Sequence, residues 1–271
     1  MPLDDAGPAA PLGPLVRVRM TVAYDGGGFH GFAPNPGVRT VGGALRDALE
    51  TVVRSPVDIT CAGRTDAGVH AWGQVVSFDV PAERFDPAAL QRAVNRLCGP
   101  QIVVREVMQA ADDFDARRSA RSRTYRYTIL NRPVPDPFLR HVTWHVADPL
   151  DIDLLHLGCD PLVGEHDFSA FCRRPKRDRV PASLVRRVHR AGWSDLGGGL
   201  LRFEIEASAF CHQMIRSLVG TLVDVGRGHR TAGELLDILR SRDRARASRV
   251  APPQGLCLWH VTYPTDGGHV A

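Results

Sequence analysis

Leu201, Phe203, Ile205 and Ala207 alternate with Arg202, Glu204 and Glu206. That strict period of two requires an extended strand with one apolar and one charged face. Such a strand needs neighbours to pair with and a layer to cover its apolar side. The same period runs through Val16, Val18, Met20, Val22 and Tyr24, set against Arg17, Arg19, Thr21 and Ala23. Helical spacing interrupts the strands. Thr40 can cap a helix with Val41, Ala44, Leu45, Ala48, Leu49 and Val52 on one side. Asp86-Pro87 opens a second, carrying Leu90, Ala93, Val94 and Leu97.

With strands predicted at 57–62, 72–80 and 102–108, the first half reads β-α-β-β-α-β, the split-βαβ order of ferredoxin-like folds. The second half repeats the order. Strands are predicted at 124–130, 138–146, 184–193, 201–207 and 256–263, and helices at 151–162 and 211–225. Another helix starts at Thr231, where Thr231 and Glu234 form a capping-box pattern. The fold class is therefore α+β: two ferredoxin-like halves side by side, forming a mixed, mostly antiparallel sheet with helices packed on it and a central cleft. Residues 1–14, with four prolines, read as a disordered tail. An N-terminal subdomain over 15–116, a C-terminal one over 117–264 and a tail over 265–271 follow.

Charge narrows the function. Over 271 residues the net charge is only +4, but residues 117–126 hold five arginines and no acid. Arg173, Arg174, Lys176, Arg177, Arg179, Arg186, Arg187 and Arg190 form a second cluster, and Arg240, Arg242, Arg244, Arg246 and Arg249 a third. Clustered arginine suits a polyphosphate backbone, although solvated charged faces give the same composition. No apolar run has the length of a membrane span, and no basic segment leads into an apolar one at the N-terminus, so a cytoplasmic location is expected. Six cysteines stand without a C-x-x-C pair, which points to reduced thiols rather than a zinc site or a disulfide framework. His141 and His145 have helical metal-ligand spacing, but Val142-Thr143-Trp144 between them favours a strand, so no metal is expected.

The chemistry concentrates in Cys61-Ala62-Gly63-Arg64-Thr65-Asp66-Ala67-Gly68-Val69-His70. Two glycines allow an irregular backbone and close approach of another molecule. Arg64 stands two residues from Asp66 and can hold an ionised carboxylate, fit to act as nucleophile or base. A surface turn with an ion pair is the simpler alternative. The run GRTDAGVHAWGQVVSFD resembles the signature of the tRNA pseudouridine synthases of the TruA family. The resemblance implies that Asp66 is catalytic.

Three further stretches resemble family segments. In Ser122-Arg123-Thr124-Tyr125-Arg126-Tyr127, alternation puts both tyrosines on one side, as core aromatics or as platforms for an unpaired base. The resemblance implies that Tyr125 contacts the target nucleotide. In Phe210-Cys211-His212-Gln213-Met214-Ile215-Arg216, helical spacing points Met214, Leu218 and Leu222 at a core and sends Arg216 towards solvent. The resemblance implies instead that Arg216 reaches the catalytic carboxylate. Gly255-Leu256 resembles a pocket-lining pair, with core packing as the alternative. His166 and Asp167, in a run similar to another family element, are read as structural.

Taken together, the resemblance over about residues 16–264 implies an isomerase that converts uridine to pseudouridine in the anticodon stem-loop of tRNA, at positions 38–40. It further implies no cofactor, Arg64 and Arg216 flanking a flipped nucleotide, and a homodimer in which one tRNA spans both subunits. The chain departs from the family at Ala33 and Gly42, where glutamines are usual, which bears on the substrate contacts of the N-terminal half. The alternatives are a synthase acting on another RNA site, a non-catalytic tRNA-binding protein, or a carboxylate hydrolase. For the hydrolase a second acid is needed, and only Asp58 and Asp79 stand near in sequence.

Overall fold

The computed structural model describes residues 13–174 and 183–264. Most of the two expected tails and the basic residues Lys176, Arg177 and Arg179 lie outside the described residues. The first half contains β1 (Leu15–Tyr24), α1 (Val41–Val53), β2 (Thr60–Cys61), β3 (His70–Pro81), α2 (Pro87–Cys98) and β4 (Ile102–Gln109). The second contains β5 (Ser122–Asn131), β6 (Trp144–Val146), α3 (Ile152–Leu157), β7 (Gly164–Asp167), β8 (Val185–Asp195), β9 (Leu200–Ala207), α4 (Met214–Gly226), α5 (Ala232–Ser241) and β10 (Leu256–Thr262).

All ten strands join one sheet in the order β4-β1-β3-β10-β5-β9-β8-β7, with β2 added to β3 and β6 to β5. Each half follows the same topology. In the first, β4-β1-β3-β2 is the antiparallel order of a split-βαβ unit; in the second, β10-β5-β9-β8 repeats it. The halves meet where β10 pairs parallel to β3 through Cys257 with His70 and Leu258 with Ala71. The loop that carries Asp66 connects β2 to β3 and so sits at this joint.

Local chemistry accounts for the elements. Thr40 accepts from the Gly43 N–H at the start of α1, Asp86 caps α2 ahead of Pro87, and Thr231 with Glu234 completes the capping box of α5. In β9 every second residue is buried, from Leu201 to Ala207. Its charged side is not left to water alone. Arg126 meets Glu204 at 2.6 Å, and Arg190 bridges Glu204 at 2.7 Å and Glu206 at 2.8 Å. Opposite charges on neighbouring strands stabilise the register.

Four predicted elements are shorter in the structure. The strand expected at 57–62 shrinks to Thr60–Cys61, paired with Ser77 and Val76 of β3; ahead of it the Val57 N–H donates to the Glu50 carboxylate at 3.1 Å instead of joining the sheet. The strand expected at 138–146 is only Trp144–Val146. Before it, Asp136 accepts from the Phe138 N–H and Leu139 O accepts from Val142 N–H and Thr143 Oγ1, which closes turns instead. The helix expected at 151–162 stops at Leu157, ahead of Gly158 and Pro161. The helix expected at 211–225 starts only at Met214, because Gln213 takes the left-handed conformation (φ 63°).

Helix α4 packs with α3 and α5, and Met214, Leu218 and Leu222 are fully buried. Gly220, in the middle of α4, lets residues 249–251 cross the helix closely. A Cβ there would collide with the Arg249 carbonyl oxygen. Gly220→Ala gains up to about 1 kcal/mol of helix propensity. The forced backbone shift costs about 2–3 kcal/mol and wins. A lower denaturant midpoint is therefore expected, and an unchanged or higher one would contradict this packing.

Candidate active site

The Asp66 loop is held from below by buried polar groups. Gln74 is fully buried, and its Nε2 donates to Gly63 O at 2.6 Å and to the Tyr24 hydroxyl at 3.3 Å. That hydroxyl pairs with Thr65 Oγ1 at 2.8 Å, and burial pushes its pKa well up, so it stays a neutral phenol. The 26–32 segment grips the other side. Phe32 N–H donates to Thr65 O at 3.1 Å, and Gly68 N–H to Phe29 O at 3.3 Å. Gly31 (φ +90°) is required here, because a Cβ would stand 2.8 Å from Thr65 O. His70 closes the loop: its Nδ1 accepts from Gly26 N–H at 3.1 Å, and its Nε2 donates to His141 O at 2.9 Å.

A buried cation fixes the root of the loop. Arg123, on β5, is 8% exposed. Its Nε and Nη2 donate to Ala62 O at 3.2 and 2.9 Å, Nη2 also to Arg117 O at 2.7 Å, and Nη1 to Ser208 O at 2.8 Å and Ala120 O at 3.3 Å. Four carbonyls from three segments converge on one guanidinium. Burial lowers its pKa, but guanidinium pKa values lie so far above neutrality that the charge persists.

Asp66 itself stands between two side chains from far along the chain. Arg216 Nη1 donates to Oδ2 at 3.2 Å across 150 residues, and His212 Nε2 lies 3.4 Å from Oδ1. Arg216 is not solvated as helical spacing alone suggests. Its side chain is 14% exposed, and its Nε donates to Ala251 O at 2.8 Å. The partners of the carboxylate are thus Arg216 and His212 rather than its sequence neighbour Arg64, which is exposed on the cavity rim.

Above Asp66 opens a cavity of about 920 Å3. Tyr125 and Leu256, 7% and 5% exposed, line it together with Asp66, Arg64 and Arg216. All five residues singled out in the sequence therefore border one space. Tyr125 packs edge-on against Phe210, with centroids 5.1 Å apart. Burial first, and the Asp66 charge second, push its hydroxyl pKa well up. Arg117, Arg173 and Arg186 complete the walls. This is an acidic centre in an electropositive, aromatic-lined cleft, suited to an unstacked base on a phosphate backbone.

Three features of the site escaped the sequence reading. In the sequence Arg123 reads only as part of a basic cluster. His212 lies ahead of the first turn of α4, behind the left-handed Gln213, so helical spacing does not mark it. Cys172 and Cys211 form a disulfide, so these two of the six cysteines are not the reduced thiols expected. The segments that carry them lie side by side, with Arg173 N–H donating to His212 O at 2.9 Å. Among the departures, Ala33 lines the cavity. At Gly42 a Cβ would sit 2.5 Å from Phe32 O, so the close packing of the 32–42 loop excludes a larger residue there.

Elsewhere, Asp167 accepts from Ser169 N–H at 2.9 Å and pairs with Arg242 at 3.2 Å, in keeping with a structural role. Among the described residues no cluster of His, Cys, Asp and Glu has the geometry of a metal site, and no helix is long and apolar enough to cross a membrane.

The family model described as tRNA pseudouridine synthase matches residues 20–117 and 159–264. A protein named tRNA pseudouridine synthase A from Leifsonia xyli subsp. xyli is 39% identical over 270 residues, covering 92% of each chain. One of the same name from Streptomyces griseus subsp. griseus is 41% identical over 260 residues, covering 93% of this chain and 89% of its own.

Proposed function

The chain belongs to the tRNA pseudouridine synthase family, and from that membership we propose that it isomerises uridine to pseudouridine in the anticodon stem-loop of tRNA, at positions 38–40, with Asp66 as the catalytic carboxylate. The observation that carries the assignment of the site is the convergence of Asp66 and Arg216 at the floor of an arginine-walled, aromatic-lined cavity.

The reaction breaks the N1–C1′ glycosidic bond, turns the uracil and forms a C5–C1′ bond. C5 gives up its proton and N1 gains one, so no electrons are exchanged and no group is lost. The base must first leave the helical stack. Tyr125 and Leu256 form the apolar walls that receive the extruded uracil. Arg64, on the rim, takes the place vacated in the stack or the adjoining phosphate. Asp66 acts as nucleophile or base at the reacting centre, and Arg216 keeps it aimed. Arg117, Arg173 and Arg186 contact the backbone and fix the register of the RNA.

The 15–116 subdomain supplies the carboxylate, and the 117–264 subdomain supplies Tyr125, Arg216 and Leu256, so each expressed alone is expected to be inactive. The protein works as a homodimer with one tRNA spanning both subunits. Sedimentation of the free protein as single 29.6 kDa chains, together with a complex holding one chain per tRNA, would contradict this. The chemistry is tested with a tRNA transcript tritiated at uracil C5. Release of tritium to water without loss of uracil supports isomerisation, whereas free uracil would mean hydrolysis and no release would mean binding alone.

A further inference from the structure

A carboxylate gripped through one oxygen can still swing about its Cβ–Cγ bond, because that torsion has broad, shallow wells. Arg216 grips Asp66 through Oδ2 and is itself immobilised by Ala251 O. Oδ1 faces His212, whose side chain is 44% exposed. The imidazole sits there because its backbone is fastened on both sides. The Cys172–Cys211 disulfide precedes it, and its own carbonyl accepts from Arg173 N–H. Gln213 follows in the left-handed conformation and receives Arg244 Nη2 on its side-chain oxygen at 2.9 Å. A non-glycine residue persists in that conformation only where its surroundings over-determine it, and such positions cluster at working sites. So much constraint on one exposed turn is not needed to start α4.

We propose that His212 is a second positioning residue for Asp66, holding Oδ1 from the open side of the cleft while Arg216 holds Oδ2 from the buried side. This rests on the reading of Asp66 as the catalytic carboxylate. The 3.4 Å separation of Nε2 from Oδ1 is long for a hydrogen bond. Contacts of this kind tighten when substrate fills the site and expels water. With both oxygens held, the plane of the carboxylate is fixed relative to the nucleotide, and the reacting atoms meet in one orientation.

The test uses the full-length protein and unmodified tRNA transcript under single-turnover conditions. His212→Ala, His212→Gln and Asp66→Asn are compared with wild type, with melting curves to verify folding. His212→Ala is expected to slow pseudouridine formation about tenfold, with tRNA affinity and melting temperature little changed. His212→Gln presents an amide N–H near the position of Nε2 and is expected to recover most of the rate. A wild-type rate for His212→Ala, beside an inactive Asp66→Asn, would overturn this inference alone. So would a loss of tRNA affinity that accounts for the whole effect, or a Gln variant as slow as the Ala variant. An active Asp66→Asn would instead overturn the reading of Asp66 on which the inference stands.

Discussion

Asp66→Asn is expected to bind tRNA as well as wild type and to form pseudouridine at least about 10^4-fold more slowly, the scale on which enzymes lose a nucleophile. The substitution is nearly isosteric. An amide oxygen can still accept from Arg216, so the loop between Gly63 and Gly68 keeps its shape. What disappears is the charge and the nucleophilic oxygen. A loss of that size corresponds to about 5.5 kcal/mol of transition-state stabilisation. Binding should not suffer, because removing an anion from an arginine-walled cleft cannot weaken its attraction for phosphates. Single-turnover rates and filter-binding constants separate the two quantities. Activity within tenfold of wild type would remove Asp66 from the mechanism.

Arg123→Met carries the largest expected effect on stability. Methionine has a similar length and fills much of the same space, so the cavity term is small. The guanidinium, however, is the shared donor for the carbonyls of Ala62, Arg117, Ala120 and Ser208. A buried acceptor stripped of its partner costs about 1–3 kcal/mol. Water can reach some of the four, so a net destabilisation of about 3–5 kcal/mol is expected. In a chain of this size that lowers the melting temperature by about 6–15 °C. Because Ala62 is the root of the Asp66 loop, activity should fall even in the folded fraction. A melting temperature within a degree or two of wild type would show that the four carbonyls find other donors and that the clamp is dispensable.

The fold was legible wherever a local pattern decides the outcome. The alternation at 201–207, the caps at Thr40, Asp86 and Thr231, and the repeated β-α-β-β-α-β order all arise from side chains meeting near neighbours. The misjudged elements depended on contacts that no periodicity records. β2 is two residues long, and ahead of it the Val57 N–H goes to the Glu50 carboxylate of α1 rather than to β3. Likewise, helical spacing sends Arg216 to solvent, and only the arrival of Asp66 opposite it makes the interior a place for a cation.

The site divides in the same way. Asp66, Tyr125, Arg216 and Leu256 were picked out by resemblance to known motifs, and the structure brings them around one cavity. Arg123 escaped because its partners are backbone carbonyls, which leave no trace in a sequence. The Cys172–Cys211 pair escaped because 39 residues separate two cysteines with no spacing signature. The expectation that Arg64 pairs with Asp66 failed for a geometric reason. Residues two apart in an irregular loop need not face each other, and the better-placed side chains come from the approach to α4 and its first turn.

This chain is expected to rearrange uridine in place within the anticodon arm. The most direct measurement incubates the purified protein with unmodified tRNA transcript, with neither metal nor nucleotide added, and maps pseudouridine residue by residue. The expected result is stoichiometric pseudouridine at uridines in positions 38–40 and none with Asp66→Asn. Pseudouridine only outside that arm, or tight binding with no pseudouridine at any enzyme concentration, would contradict it.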